Sequence, residues 1–106
     1  MSNVSNITYI QLTNCVNLYS INASGCINLT VIVVETSILN DLNIYNCPLL
    51  QGLILDHNKL IQIPTLTNKG NVGYYDFTYN NFPTSELDRF RSLGFTDESK
   101  LLPQKP

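Results

Sequence analysis

The chain has 106 residues, 43% of them hydrophobic and 13% charged, with a formal net charge of -2. That is one domain's length with enough apolar mass for a core, and it excludes both the basic footprint of a nucleic-acid binder and a strong attraction to anionic membranes. No apolar run approaches the roughly 18 residues of a membrane span, and the opening MSNVSN lacks the basic and apolar segments of a secretory signal. These features predict a product that is cytoplasmic when made, and the odd count of three cysteines agrees with a reducing compartment.

Along the chain, one template recurs: apolar, two residues, apolar, one residue, apolar, two residues, then a small or amide residue. It fits Ile7, Ile10, Leu12, Cys15; Leu18, Ile21, Ala23, Cys26; and Leu29, Ile32, Val34, Ser37. It continues through Leu39, Leu42, Ile44, Cys47; Leu50, Leu53, Leu55, Asn58; and Val72, Tyr75, Phe77, Asn80. The leading residues lie 11, 11, 10, 11 and then 22 positions apart, a regularity that signals stacked repeats. Inside each unit the alternation has period two, so each predicts a short strand with one buried face. A helix would place Ile10 and Leu12 about 200° apart. The doubled step holds a Pro-containing extended pass and a Gly70-Asn71 turn.

The stretch LILDHNKLIQIP resembles the leucine-rich-repeat consensus L-x-L-x-x-N-x-L-x-x-I-P. LNIYNCPLLQGLILDHNKL resembles the short Cys- and Asn-bearing repeats of bacterial leucine-rich-repeat surface proteins, such as Bacteroidetes proteins and cysteine-type internalins. The resemblance runs from about Ile7 to Phe82; Cys15, Cys26 and Ser37 stand where the family usually has asparagine. It implies a mainly β fold, a short parallel β-solenoid of the leucine-rich-repeat type, and says little about the ligand. The recurring Cys or Asn is expected where the chain turns inward, asparagine bonding turn amides and cysteine mostly filling volume.

Alternate units should line two sides. One stacks strands at 10–12, 32–34, 53–55 and 75–77; the other stacks 21–23, 42–44 and a pass near Ile63. The first side's outward residues form three rows: Tyr9, Val31, Gly52, Tyr74; Gln11, Val33, Ile54, Asp76; and Thr13, Glu35, Asp56, Thr78. The second presents Ser20, Asn22, Ser24, Asp41, Asn43 and Tyr45, a solvated set. An apolar patch between tyrosines with acidic neighbours has the composition of a partner-binding surface; the alternative is that β-branched residues simply favour strands. The candidate partner-binding residues are Tyr9, Gln11, Val31, Val33, Glu35, Ile54, Asp56, Tyr74 and Asp76.

After Phe82 the pattern predicts a capping helix over about Ser85 to Leu93. Ser85 with Asp88 makes a capping-box-like start, Leu87, Phe90 and the stem of Arg91 face inward, and Gly94 supplies the stop. The expected organisation is one domain over 1–98, with repeats at about 7–82 and the cap at about 83–95, then a flexible tail over 99–106. No comparable cap precedes Ile7. Val4, Ile7 and Ile10 are therefore a candidate assembly end, to be covered by a second copy, a neighbouring protein or a fold-back of residues 1–6.

Cys26 and Cys47 should be neighbours on the second side, close enough in principle for a disulfide, although interior thiols suit a cytosolic chain better. One histidine, His57, sits in a predicted turn beside Asp56, with no metal cluster, nucleophile arrangement or phosphate loop around it. The sequence thus reads as a non-enzyme without metal or cofactor. The leading expectation is a protein-interaction module using the first side. Its alternatives are a structural or accessory subunit of a larger assembly such as a phage virion, which would place the chain in the virion, and a soluble inhibitor of a host protein. The short length, the missing export signal, the uncovered end and the Asn- and Ile-rich composition motivate the assembly reading.

Overall fold

The computed structural model describes residues 6–66 and 72–104. Val4 and the Gly70-Asn71 turn lie outside the described residues. Within them the chain forms β1 (Tyr9–Thr13), β2 (Ser20–Asn22), β3 (Val31–Glu35), β4 (Asp41–Asn43), β5 (Gly52–Ile54) and β6 (Tyr74–Asp76), then α1 (Ser85–Ser92) and a 3-10 turn at Glu98–Lys100. The architecture is mainly strand. A four-stranded parallel sheet has the order β1-β3-β5-β6, and β2 and β4 form a second parallel pair. From β1 to β5 the chain alternates between the two sheets. The pass near Ile63 forms no strand, although Ile63 itself is fully buried.

Register follows the apolar alternation. Tyr9 pairs with Val31, Val31 with Gly52 and Gly52 with Tyr74, so Ile10, Ile32, Leu53 and Tyr75 are also aligned across the sheet. A slip by one residue would turn the aliphatic set outward, which burial forbids. The second sheet aligns Ser20 with Asp41, Ile21 with Leu42 and Asn22 with Asn43. Between the sheets lies a continuous core that includes Ile32, Val34, Leu53, Leu55 and Phe77 from one side and Ile21, Ala23, Leu42 and Ile44 from the other.

The links between strands share one backbone device. Asn14, Gly25, Thr36, Asn46, His57 and Tyr79 all have positive φ, between 53° and 77°. Each immediately precedes one of the recurring small or amide residues, Cys15, Cys26, Ser37, Cys47, Asn58 and Asn80. The left-handed residue turns the chain inward, and the next side chain meets the amides and carbonyls exposed there. Asn58 Nδ2 is shared among the carbonyls of Val34, Leu55 and Asp56 at 2.6, 3.1 and 3.2 Å, while its Oδ1 accepts from the Leu39 amide at 3.1 Å. Asn80 repeats the arrangement one strand on, with the carbonyls of Leu55, Phe77 and Thr78 and the amide of Leu60. Ser37 accepts from the Cys15 amide and donates to the Glu35 carbonyl. Cys47 Sγ donates to the Ala23 carbonyl at 3.1 Å, so this cysteine bonds backbone as well as filling space.

The C-terminal segment closes the β6 end. Phe77, Phe82, Phe90, Phe95 and Tyr75 pack ring to ring, with centroid separations from 4.5 to 6.3 Å, pinning α1 to the last strand. The helix stops as expected: Gly94 has φ 92°, its amide bonds the Arg91 carbonyl and the Phe95 amide bonds that of Phe90, a Schellman closure. Its start at Ser85 is as expected, but the capping is not. Thr84 is the cap residue, itself in helical geometry with no side-chain cap bond, and Ser85 is already inside the helix. The inward arginine is also the other one. Arg91 is half-exposed and pairs with Glu98 at 2.8 Å, whereas Arg89 donates to the Ile63 carbonyl and lies 3.5 Å from Glu86, whose Oε1 accepts from the Ile63 amide. One helical step of about 100° separates neighbouring residues, so only one of the two could face the 61–64 pass.

Residues 99–104, expected within a flexible tail, pack as part of this cap. Leu101 is buried, the Phe77 and Tyr79 amides donate to the carbonyls of Lys100 and Pro103, and Gln104 bonds both the Phe82 amide and the Phe77 carbonyl. The β6 edge needs partners for its backbone groups, and this segment supplies them.

Candidate protein-interaction face

The outward positions of the four-stranded sheet come together as the sequence rows require. The first row sets Tyr9, Val31, Gly52 and Tyr74 side by side, and the second sets Gln11, Val33, Ile54 and Asp76. Tyr9 and Tyr74 are each about half exposed, at 52% and 51%, while Val31, Val33 and Ile54 are partly covered by their neighbours. The coverage at Gly52 has a clear cause. The Tyr74 ring lies over it so closely that a Cβ there would meet Cε2 at 2.3 Å, so the absent side chain gives the ring its seat. At the other end, Tyr9 Oη donates to Gln11 Oε1 at 3.4 Å.

One corner of the face is acidic. Glu35 ends β3, Asp56 lies two residues beyond β5 and Asp76 ends β6. Burial pushes the Glu35 carboxyl above its ordinary value, with repulsion from Asp56 and Asp76 adding to the shift and His57 opposing it. Asp56 Oδ2 lies 2.7 Å from His57 Nδ1, and its Oδ1 is closed off from solvent without a hydrogen-bond partner among the described residues. Asp76 Oδ1 accepts from both the amide and the hydroxyl of Thr78.

His57 and Tyr79, neither of them among the expected site residues, border this corner as a stacked pair with ring centroids 4.5 Å apart. A signal for them existed in the sequence, because each precedes a recurring asparagine on adjacent units and so must emerge at the same height. The opposite side shares one device with this corner: its outward Asn22 and Asn43 accept from backbone amides two residues on, as Asp76 does from Thr78, ending the strands locally.

At the β1 end, Ile10 is 7% exposed and faces the core, and Ile7 is half-buried. A hollow of ≈190 Å³ opens there, lined by Ile10, Leu12, Leu18, Ser20, Ile21 and Asn22. All three cysteines are thiols, Cys26 and Cys47 buried and Cys15 half-buried; burial pushes the Cys47 thiol up, against a weaker opposing backbone bond from Cys26. Among the described residues, no group of three or more His, Cys, Asp or Glu could hold a metal ion, and no helix is long and apolar enough to cross a membrane. Comparison with protein-family models, with curated proteins and with solved structures found no match to this chain.

Proposed function

We propose that the chain is a short parallel β-solenoid of the leucine-rich-repeat type and a non-catalytic protein-interaction module that binds through the outer face of its four-stranded sheet. What supports the fold reading is the coincidence, at six links, of a left-handed residue followed by a small or amide residue, with Asn58 and Asn80 bonding equivalent backbone groups on successive strands. The functional reading is carried by one observation: Val31, Val33 and Ile54 form a half-covered aliphatic shelf between two half-exposed tyrosines, bounded by carboxylates. An apolar centre with aromatic anchors and a polar margin is the anatomy of a protein interface. The double variant Val33→Arg, Ile54→Lys should abolish affinity capture of the natural partner from cell extract while the melting curve stays within a few degrees of the parent. Undiminished capture by a folded variant would sink this reading.

A second reading, an accessory subunit of a larger assembly such as a virus particle, is favoured by the other end. Among the described residues β1 and β2 are the outer strands of their sheets, the ≈190 Å³ hollow lies beside them, and no charged residue precedes Glu35 in the sequence. An uncharged outer strand is a template for pairing with another chain. Light scattering across a concentration series measures this directly: a defined oligomer is expected if copies join there, and a constant monomer mass excludes self-association.

A further inference from the structure

Among the described residues the sheet face carries an excess of carboxylates. Its twelve outward positions include Glu35, Asp56 and Asp76 and no lysine or arginine. His57, which borders them, is engaged with Asp56 Oδ2. Asp56 has its Oδ1 closed from solvent and its Oδ2 against His57, so a group arriving on the face meets Asp56 through its charge rather than through a new hydrogen bond to Oδ1. Among the described residues no group of three or more His, Cys, Asp or Glu could hold a metal ion, so the cation considered for this corner is a basic side chain of a partner.

The spacing of the face is also specific. Val33 and Glu35 are two residues apart on β3, hence about 6.6 to 6.8 Å apart along the strand, and Ile54 and Asp76 continue the Val33 row across strands about 4.8 Å apart. An extended polypeptide laid along β3 has the same two-residue period. Resting on the interaction reading above, we propose that the occupant of this face is an extended protein segment that sets an arginine or lysine against Glu35, Asp56 and Asp76 and, two residues away, an aliphatic side chain against Val33 and Ile54. Arginine fits better, because its planar fork can engage two carboxylates at once and lie against a tyrosine ring. Binding would relieve the mutual repulsion that Glu35 now shares with Asp56 and Asp76.

The test is selection of a phage-displayed random dodecapeptide library against the full-length chain, against Glu35→Gln/Asp76→Asn, and against Val33→Arg/Ile54→Lys, with thermal melts confirming that all three are folded. The expected result is peptides with arginine or lysine two residues from an aliphatic residue. Their affinity should fall about tenfold between roughly 0.05 and 0.5 M salt, by screening, and by a similar factor in Glu35→Gln/Asp76→Asn. Uncharged or acidic peptides that bind parent and Glu35→Gln/Asp76→Asn equally but are lost in Val33→Arg/Ile54→Lys would overturn the basic segment while leaving the face as the site. Absence of any binder, or binders indifferent to both variants, would overturn the face itself.

Discussion

At the links between strands, six of the described residues hold the chain in left-handed backbone, and they are unequal in what this costs them. Gly25 adopts the conformation without penalty and Asn14 and Asn46 tolerate it, but Thr36 at φ 53° is β-branched, and left-handed geometry costs an ordinary residue about 1 to 2 kcal/mol. Its amide still donates to the Asp56 carbonyl, a bond that glycine would keep. Thr36→Gly is therefore expected to stabilise the fold by about 0.5 to 1 kcal/mol, the relief exceeding the extra chain entropy of glycine, measured as a higher urea midpoint at unchanged slope. Glu35 gives the second prediction. Its carboxyl is raised in the fold, so the folded chain binds the proton more tightly than the unfolded one and stability falls as pH rises from the ordinary carboxylate range through the raised value. Glu35→Gln should then raise the melting temperature at pH 7, leave it nearly unchanged at pH 3, and flatten the slope between. At this scale the sequence was partly legible. The inward position of every recurring Cys, Ser and Asn could be read from spacing, whereas the left-handed turn before each was signalled only at Asn14, Gly25 and Asn46; Thr36, His57 and Tyr79 are side chains that do not advertise it.

Strands were more legible than the cap because they are specified by a pattern and the cap by particular contacts. The alternating aliphatic set determines which residues align, and every outward row found in the sheet follows from it. The helix starts at Ser85 as its pattern predicts, but Ser85 is not its cap: it is a good capping residue by type, yet Pro83 and Thr84 already lead into the helix, with the Glu86 amide bonding the Pro83 carbonyl. Choosing between Arg89 and Arg91 required knowing where the 61–64 pass lies, which no periodicity encodes. Residues 99–104 contain a proline and a lysine and look mobile by composition, but Leu101 and Gln104 fill and bond the exposed flank of β6. The cap's attachment rests on Phe90, fully buried against Tyr75, Phe77 and Phe95. Phe90→Ala should cost about 3 to 5 kcal/mol, the range for emptying such a site, and the near-ultraviolet dichroism of the aromatic cluster should collapse with it.

Across the whole molecule the two ends and the face are electrostatically distinct. Every charged residue lies from Glu35 onward, so a contact made at the β1–β2 end would be almost indifferent to ionic strength, and the light-scattering mass should be the same in low and high salt whichever state it reports. The sheet itself has a further implication. Among the described residues each strand is hydrogen-bonded to the next in the order β1-β3-β5-β6, and the β6 side is sealed by other backbone. On the solenoid reading proposed above, cooperativity is one-dimensional: each layer's stability comes from itself and from the layers it touches, so the fold prescribes a spacing between strands without prescribing their number. A layer could be gained or lost between β3 and β5 by inserting or deleting one strand-to-strand segment, with the sealed end and the outer strand left as they are. On the interaction reading proposed above, the width of the face, and with it the length of partner it would read, is in that sense an adjustable quantity.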